Sequence, residues 1–483
     1  MFLKAGALSL ALLLASRLLG LVRESAQAAA FGATGFADVA VLMLTLPDWL
    51  AGVLASGALA YVLVPAWAGH DSGRVAATQR SVAKGLLAAG VVLAVLLLVL
   101  REPAARLLAG GVPPALLPAA ADAMAWSAVA LPAALLAALW VTRLQHERDF
   151  AGMYSANLVV NGVLIAGIVL AAAAAPAFAT ITLGAGLLAA MLLRLAWLHW
   201  RTPRVDAPAV AAPSLPPPPV WLWAAMSAGL PLALPFAARS IASLEGEGAL
   251  ATFNYAWKLV ELPLILAVQL VATLAFPPIA KAIASGMDDE IRIAVRTAFA
   301  LAFALASAAA AALLVGSPAI AALLFGWGRM DAQALGRIAE WGAIGAWGLL
   351  PQALIAVALT VLAARSRMRA AVFAYALALV ILLMAASWGW GGGGRLMFLL
   401  NFLLTGVAVI LLAAIGCDVA SWLPWRAILV SAGCLYVAAL LASQPLAQAW
   451  LGWPGLLAAG IAATAVLGAT WWASADMREA LAR

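Results

Sequence analysis

The stretch SRLLGLVRESAQAAAFGATGFADVAVLMLTLPDWL, Ser16 to Leu50, decides how the rest of the chain is read. It is apolar in the main, yet it carries Arg17, Arg23, Glu24, Asp38 and Asp48. Its surroundings say what such charges mean. Of the 483 residues 66% are hydrophobic and 10% charged, whereas soluble domains average about a quarter charged. That composition cannot cover a soluble surface of this size, but lipid solvates apolar side chains. The 20 Trp residues fit as well, because Trp gathers at membrane–water interfaces. An ionisable side chain inside a span then costs a few kcal/mol on insertion scales, and each one needs a reason.

Outward from this stretch, apolar segments continue along the whole chain. The first 22 residues therefore read as a retained span and not a cleaved signal. A helix needs about 20 apolar residues to cross the hydrocarbon core. With charges, Pro and Gly as punctuation, the sequence predicts an all-α, polytopic membrane protein of about 14 transmembrane helices. The predicted spans are 5–30, 35–68, 82–100, 114–142, 153–175, 179–200, 220–243, 249–281, 293–314, 336–363, 369–388, 395–416, 426–443 and 453–473.

Basic residues orient these spans. Lys4, Arg74, Arg80, Lys84, Arg143, Arg148, Arg201, Arg204, Lys281, Arg292, Arg296, Arg365, Arg367, Arg369, Arg426, Arg478 and Arg483 fall at the termini or in even-numbered connections. Arg23, Arg101, Arg106, Arg239, Arg329, Arg337 and Arg395 fall in odd-numbered ones. By the positive-inside rule both termini are cytoplasmic, which requires an even number of spans. The net charge of +7 is spread over many short loops, which speaks for membrane orientation and against nucleic acid.

The organisation read from the chain is an N-terminal lobe at 1–202, a Pro-rich cytoplasmic linker at 203–219, a C-terminal lobe at 220–416 and two further helices within 417–483. Each lobe holds six helices. The linker, PRVDAPAVAAPSLPPPP, supports neither helix nor core strand. A weak repeat supports two lobes: LPDWLAGVLASGALAYVLVPAWA from Leu46 and LPLILAVQLVATLAFPPIA from Leu262 are each the second helix of their lobe. Repeated halves are a common build of secondary transporters.

The intramembrane charges predict a hydrated cavity between the lobes, lined by spans one, two and eight. Arg17, Arg23 and Lys258 supply positive charge and Asp38 orients them, with Glu24, Asp48 and Glu261 in support. Gly20, between the two arginines, is a place where the helix can bend. A cationic pocket points to an anionic cargo, and arginine's planar fork suits phosphate. The bland alternative is a set of internal ion pairs, Arg23 with Asp38 or Lys258 with Glu261, the latter three residues apart on a helix. Asp122, Arg194, Glu340 and Asp418 lie nearer presumed span ends.

Signatures of catalysis are missing. His70, His146 and His199 sit at predicted cytoplasmic helix ends, with no His-Glu-x-x-His and no Walker loop. Gly391–Gly394 lacks a following Lys-Ser/Thr and reads as a turn. Cys417 and Cys434 make neither a disulfide framework nor a metal site. The chain is read as a transporter with no cofactor, no metal and no nucleic-acid partner.

With these residues in view, Ser16–Leu50 resembles the N-terminal signature of the MurJ/MviN lipid II flippases. That signature runs Ser-Arg-x-x-Gly-x-x-Arg-Asp, then Phe-Gly-Ala, an Asp opening span two, and Pro-Asn. Here it reads Ser16, Arg17, Gly20, Arg23, Glu24; Phe31, Gly32, Ala33; Asp38; Pro47, Asp48. FNYAWKLVELPLILAVQLVATLAFPPIAK at 253–281 resembles the family's span eight, with Lys258 where the family usually has Arg. Leu324–Gly328 resembles the turn before the family's span ten, and LAARSRMRAAV at 362–372 the cytoplasmic end of that span. The resemblance implies the fold of the multidrug/oligosaccharidyl-lipid/polysaccharide exporter superfamily. It also implies alternating access to a central cationic cavity that binds a lipid-linked diphosphate in the bacterial inner membrane. The implied partners are an undecaprenyl-diphosphate-linked glycan, the bilayer and the cell-wall synthesis machinery. Departures from the pattern are specific. Where the family has Arg-Arg and then Ala-Glu-Gly-Ala, this chain has Ala51-Gly52 and Ala55-Ser56-Gly57-Ala58, and no Asp or Glu lies between Arg369 and Gly416. These departures leave open a different undecaprenyl-diphosphate-linked oligosaccharide as cargo. A drug or cation antiporter of the superfamily fits a basic cavity poorly, and a membrane glycan polymerase would need a large polar extracytoplasmic loop.

Overall fold

The computed structural model describes residues 2–203, 215–416, 419–443, 452–475 and 477–478, without the side chains of 2–7, 9, 10, 55, 56 and 270. Most of the Pro-rich linker (204–214), together with Cys417 and Asp418, lies outside the described residues, as do the side chains of Lys4 and Ser56.

Among the described residues there are helices and no strands, as a lipid-solvated backbone requires, because each span must satisfy its own N–H and C=O groups. In chain order they are α1 (Phe2–Phe31), α2 (Gly35–Val53), α3 (Leu59–Trp67), α4 (Ser72–Val99), α5 (Arg101–Leu108), α6 (Leu117–His146), α7 (Phe150–Ala173), α8 (Pro176–Arg201), α9 (Pro218–Ala242), α10 (Ala249–Pro263) and α11 (Gln269–Ser285). There follow α12 (Asp288–Phe325), α13 (Ala332–Ala346), α14 (Leu349–Ala364), α15 (Arg369–Ser387), α16 (Gly393–Ile415), α17 (Val419–Trp422), α18 (Trp425–Ala442) and α19 (Trp453–Ala473). Among the described residues twelve spans are long and apolar enough to cross a membrane, or thirteen if the pair α13–α14, bent by 48°, is one span. The helix α1, 30 residues long, carries Arg17, Arg23 and Glu24.

The chain divides into two compact units, 1–236 with 243–251 and 237–242 with 252–483. In the first, α6 is the hub and packs against α2, α3, α4, α5 and α8. In the second the hub is α12, 38 residues long, against which α11, α13, α14, α18 and α19 pack. The two C-terminal spans thus belong to the body of the second unit. A hydrogen bond of 2.9 Å between the buried hydroxyls of Ser431 and Thr470 joins them to each other. Small residues bring helices close, as is usual where lipid gives apolar helices no hydrophobic reason to associate. A Cβ on Gly316 of α12 would sit 2.6 Å from the Ala459 Cβ of α19, and one on Gly184 of α8 would strike the Trp126 ring of α6 at 2.1 Å.

Two features differ from the sequence reading. Span nine was expected to end at 314, yet α12 runs to Phe325 with Pro318 inside it. Proline inside a membrane helix is tolerated where neighbours satisfy the freed carbonyl. The connection expected at 315–336 therefore shrinks to the residues between Phe325 and Ala332. The other feature is a pair of π-helical turns, Leu54–Ala58 between α2 and α3 and Leu264–Val268 between α10 and α11. They interrupt spans two and eight, the same two helices that carry the weak sequence repeat.

Candidate functional site

The charges of the first unit gather around α1 and α2. Pro47 removes an N–H from α2 and would orphan the carbonyl of Met43 one turn earlier. The fully buried Ser127 hydroxyl of α6 donates to that carbonyl at 2.7 Å. This repair lets the helix continue and puts Asp48 opposite α1. Arg23 then donates to Asp48 Oδ2 at 2.9 Å and to Glu24 Oε1 at 2.8 Å. The Arg23 and Glu24 side chains are 13% and 8% exposed, so this is a largely dry, ion-paired arginine.

The expectation gave Asp38 the task of orienting the arginines. The structure puts Asp48 and Glu24 against Arg23 and uses Asp38 elsewhere. Asp38 is 1% exposed and accepts from the backbone N–H groups of Gly248 and Ala251 at 2.7 and 2.8 Å. It thereby satisfies orphan donors where the helix at Ala249 begins, a position that favours negative charge. Glu247 returns the contact, accepting from Gly35 N at 2.9 Å. Gly248 has φ +76° and a Cβ there would lie 1.9 Å from the carbonyl of Ala33, so only glycine fits.

Arg17 behaves differently from Arg23. Its residue is exposed, it makes no hydrogen bond or ion pair among the described residues, and Tyr154 of α7 is its electrostatic neighbour. A charged group that a span retains without a partner is a functional candidate. Gly20 is not a break point: α1 runs unbroken through it, and a Cβ there would meet Asn161 Nδ2 at an ordinary 3.7 Å.

Sequence reasoning set Arg194 aside as a span-end residue. It is 9% exposed, donates to Asn157 Oδ1 of α7 at 3.3 Å and is within electrostatic reach of Asp48. Tyr154, Asn157 and Asn161 recur at helical spacing on α7, a polar stripe inside an apolar span and the signal that points to this region. The departure at Ala51-Gly52 has a packing counterpart. Ala51 is 3% exposed, and α9 closes over this face of span two. A Cβ on Gly52 would meet Leu232 Cδ1 at 3.7 Å, and one on Gly57 would overlap the Ala228 Cβ at 2.1 Å. At Gly57 the approach of α9 leaves no room for a Cβ.

At the other end of α6, Arg143 is 2% exposed, pairs with Glu147 at 2.6 Å and lies over the Trp67 ring, 5.8 Å from its centre. The ring of His146 packs on the same Trp67, three residues before His70.

In the second unit Lys258 Nζ donates to Glu261 Oε2 at 2.6 Å, with both side chains about three-tenths exposed. Arg239 donates to Asn254 Oδ1 at 2.9 Å. The bend between α13 and α14 exposes the carbonyl of Ile344, which accepts from Asn401 Nδ2 at 2.7 Å. Beside the bend lies an apolar cavity of about 720 Å³, lined among others by Leu314, Trp347, Leu350, Phe398, Asn401 and Phe402. Among the described residues no group of three or more His, Cys, Asp or Glu side chains is placed to hold a metal.

With this geometry in place, the likenesses to known proteins are informative. A lipid II flippase MurJ in an inward closed conformation superposes with a TM-score of 0.77 at 15% identity, over 99% of this chain and 100% of that one. An inward-facing multidrug resistance MATE family transporter of the MOP superfamily gives 0.65 at 14% identity, over 89% and 98%. A MOP superfamily transporter from Pyrococcus furiosus, described as having a binding pocket of reverse polarity, gives 0.61 at 15%, over 90% and 96%. At these identities the likenesses speak for the fold alone. No curated relative matches the sequence. The sequence model described as "Lipid II flippase MurJ" matches residues 27–449, and the chain therefore belongs to the lipid II flippase MurJ family, multi-pass membrane proteins that transport and do not catalyse.

Proposed function

We propose that this protein moves an undecaprenyl-diphosphate-linked glycan precursor, lipid II first, from the cytoplasmic to the periplasmic leaflet by alternating access. It would reside in the bacterial inner membrane with both termini cytoplasmic, as the distribution of basic residues predicts. The observation that carries the reading is Arg17, a cation on a membrane helix with no ion pair among the described residues. A diphosphate is the matching group: it brings charge and several acceptor oxygens to a planar fork that donates two hydrogen bonds at once. At an effective dielectric near 20, one such charge about 6 Å from a phosphate is worth roughly 3 kcal/mol before desolvation. Arg23, already held by Asp48 and Glu24, presents a fixed second guanidinium. In the second unit Lys258 offers an ammonium that Glu261 steadies, and Asp38 acts by fixing the start of span two.

A second reading concerns the sugar. Two of the family's basic side chains are absent at Ala51 and Gly52, with Leu232 of α9 3.7 Å from the Cβ position at Gly52, which favours relaxed sugar preference with the diphosphate contact retained. Complementation of a strain depleted of its own lipid II flippase tests the proposal. Growth supports lipid II as cargo. Failure by well-expressed protein, with flipping of another undecaprenyl-diphosphate sugar in vesicles, moves the cargo to a different glycan.

A further inference from the structure

We propose that the cavity beside the bend of span ten, in the second unit, binds an anionic glycerophospholipid, with one acyl chain in the cavity and the phosphate held by Arg395. The inference goes beyond the transport reading and does not depend on the cargo.

The cavity, about 720 Å³, has the size of a small-molecule pocket. It is lined by α12, by both halves of the α13–α14 pair and by α16. Apart from the Trp347 indole, two polar side chains line it, and both donate to the protein's own backbone. Asn401 Nδ2 donates to the Ile344 carbonyl at 2.7 Å, and Thr405 Oγ1 to the Asn401 carbonyl at 2.8 Å. The rest of the lining is apolar, with Phe398, Phe402 and Val409 largely exposed. Water stays in a cavity only where it finds two to four polar partners, so hydrocarbon is the fitting occupant. Along α16, an apolar span, the lining runs from Phe398 to Leu412, about 21 Å at 1.5 Å per residue. One leaflet's share of the hydrocarbon core is about 15 Å, so an extended acyl chain has room.

Charge at one end selects the kind of lipid. Arg395, Phe398, Phe402, Thr405 and Val409 recur at intervals of three and four residues and share one face of α16. All five are exposed, and all but Arg395 line the cavity. Arg395 heads this stripe, about 4.5 Å of helix rise before Phe398. Its side chain makes no hydrogen bond or ion pair among the described residues, and no Asp or Glu lies between Arg369 and Gly416 to neutralise it from α15 or α16. The exposed Trp388 and Trp390 come just before it in the chain, and Trp gathers at the headgroup level of a bilayer. A guanidinium at that level, above an apolar groove, matches the order of groups in a phospholipid: phosphate outside, acyl chain within. On the orientation proposed above this end of α16 is periplasmic, where basic residues are scarce. A chain seated in the cavity meets Ile344 and Leu350, one on each side of the bend, and so braces it.

The experiment uses the full chain, purified in detergent and stripped of lipid. The titrants are phosphatidylglycerol, phosphatidylcholine with the same acyl chains, and undecaprenol. Native mass spectrometry counts bound lipid, and unfolding temperature is recorded alongside. Phosphatidylglycerol should bind about fivefold tighter than phosphatidylcholine, the worth of one basic residue at a membrane surface, and should raise the unfolding temperature as it binds. Arg395→Gln should remove that preference and leave the lipid-free protein as stable as wild type. Thr405→Trp and Val409→Trp put a large side chain at exposed lining positions. Each should weaken both phospholipids about tenfold or more by taking the acyl chain's place. Loss of the preference in Arg395→Gln, with weaker binding in either tryptophan variant, supports the site. Equal binding of the two phospholipids by wild type overturns it, as does a preference that survives Arg395→Gln or wild-type affinity in both tryptophan variants. Undecaprenol bound more tightly than phosphatidylglycerol, and weakened by the tryptophan variants, also overturns it, because the cavity then belongs to a polyprenyl chain.

Discussion

The two units have the same general make-up, long apolar helices around one central span, but they treat polarity in opposite ways. The first gathers charge across helices: Arg23 is shared by two carboxylates and Arg194 is buried beside an amide, while Arg17 is exposed and makes no ion pair among the described residues. The second holds Lys258 against Glu261, three residues further along the same span, and has an apolar cavity of about 720 Å³ beside the bend at Trp347. Spans two and eight sharpen the contrast. Both contain a π turn, but the one in span two follows an inter-helix ion pair and is closed over by α9, whereas the one in span eight follows a local pair. The difference suits a cargo with a charged head: recognition of charge needs pre-placed donors held by tertiary contacts, while apolar accommodation needs only space.

The largest effect should come from the unpaired charge. Arg17→Ala is expected to lower transport by roughly 100-fold or more, from the loss of two charge-assisted hydrogen bonds, with the unfolding temperature unchanged. Flipping and thermal unfolding measured on one preparation check this, and a stable variant with normal flipping removes Arg17 from the site. Next comes Arg23→Ala, which strands Glu24 and Asp48. It should destabilise the first unit by about 2 to 3 kcal/mol, below the range for fully dry pairs because Asp48 is 35% exposed. Adding Asp48→Ala should recover part of the loss, a coupling that a double-mutant cycle in denaturant resolves. Gly57→Ala tests the closure of α9: a Cβ at 2.1 Å from that of Ala228 should cost on the order of 1 to 3 kcal/mol. An unchanged unfolding temperature would mean that α9 does not press on span two. The smallest effect is expected in the second unit, where Lys258→Gln removes a pair three-tenths exposed and should change stability by less than about 1 kcal/mol and transport by less than Arg17→Ala does.

Much of this was legible in the sequence for physical reasons. Hydropathy marks spans because lipid leaves helices no choice of backbone structure, and Arg17 stood out because nothing within helical reach could pair with it. Other features depend on neighbours distant in sequence. Asp38 and Asp48 look interchangeable along the chain. Which of them meets Arg23 depends on how α1 lies on α2, and on a backbone cap more than 200 residues away at Gly248 and Ala251. Span nine reads as ending at 314, but α12 continues through Pro318 to Phe325. The stripe of Tyr154, Asn157 and Asn161 is visible in the sequence, but that Asn157 meets Arg194, 37 residues on, is apparent only in three dimensions. The π turns leave no mark in composition at all.

The most direct test of the account is a flipping assay. The protein is reconstituted in liposomes with fluorescent lipid II, and the label reaching the outer leaflet is quenched from outside, for wild type and Arg17→Ala side by side. The account predicts that wild-type vesicles expose lipid II beyond the fraction seen in protein-free vesicles, and that Arg17→Ala vesicles at equal protein content do not. Equal exposure from both proteins, or none above protein-free vesicles for lipid II and every other undecaprenyl-diphosphate glycan tried, would contradict it.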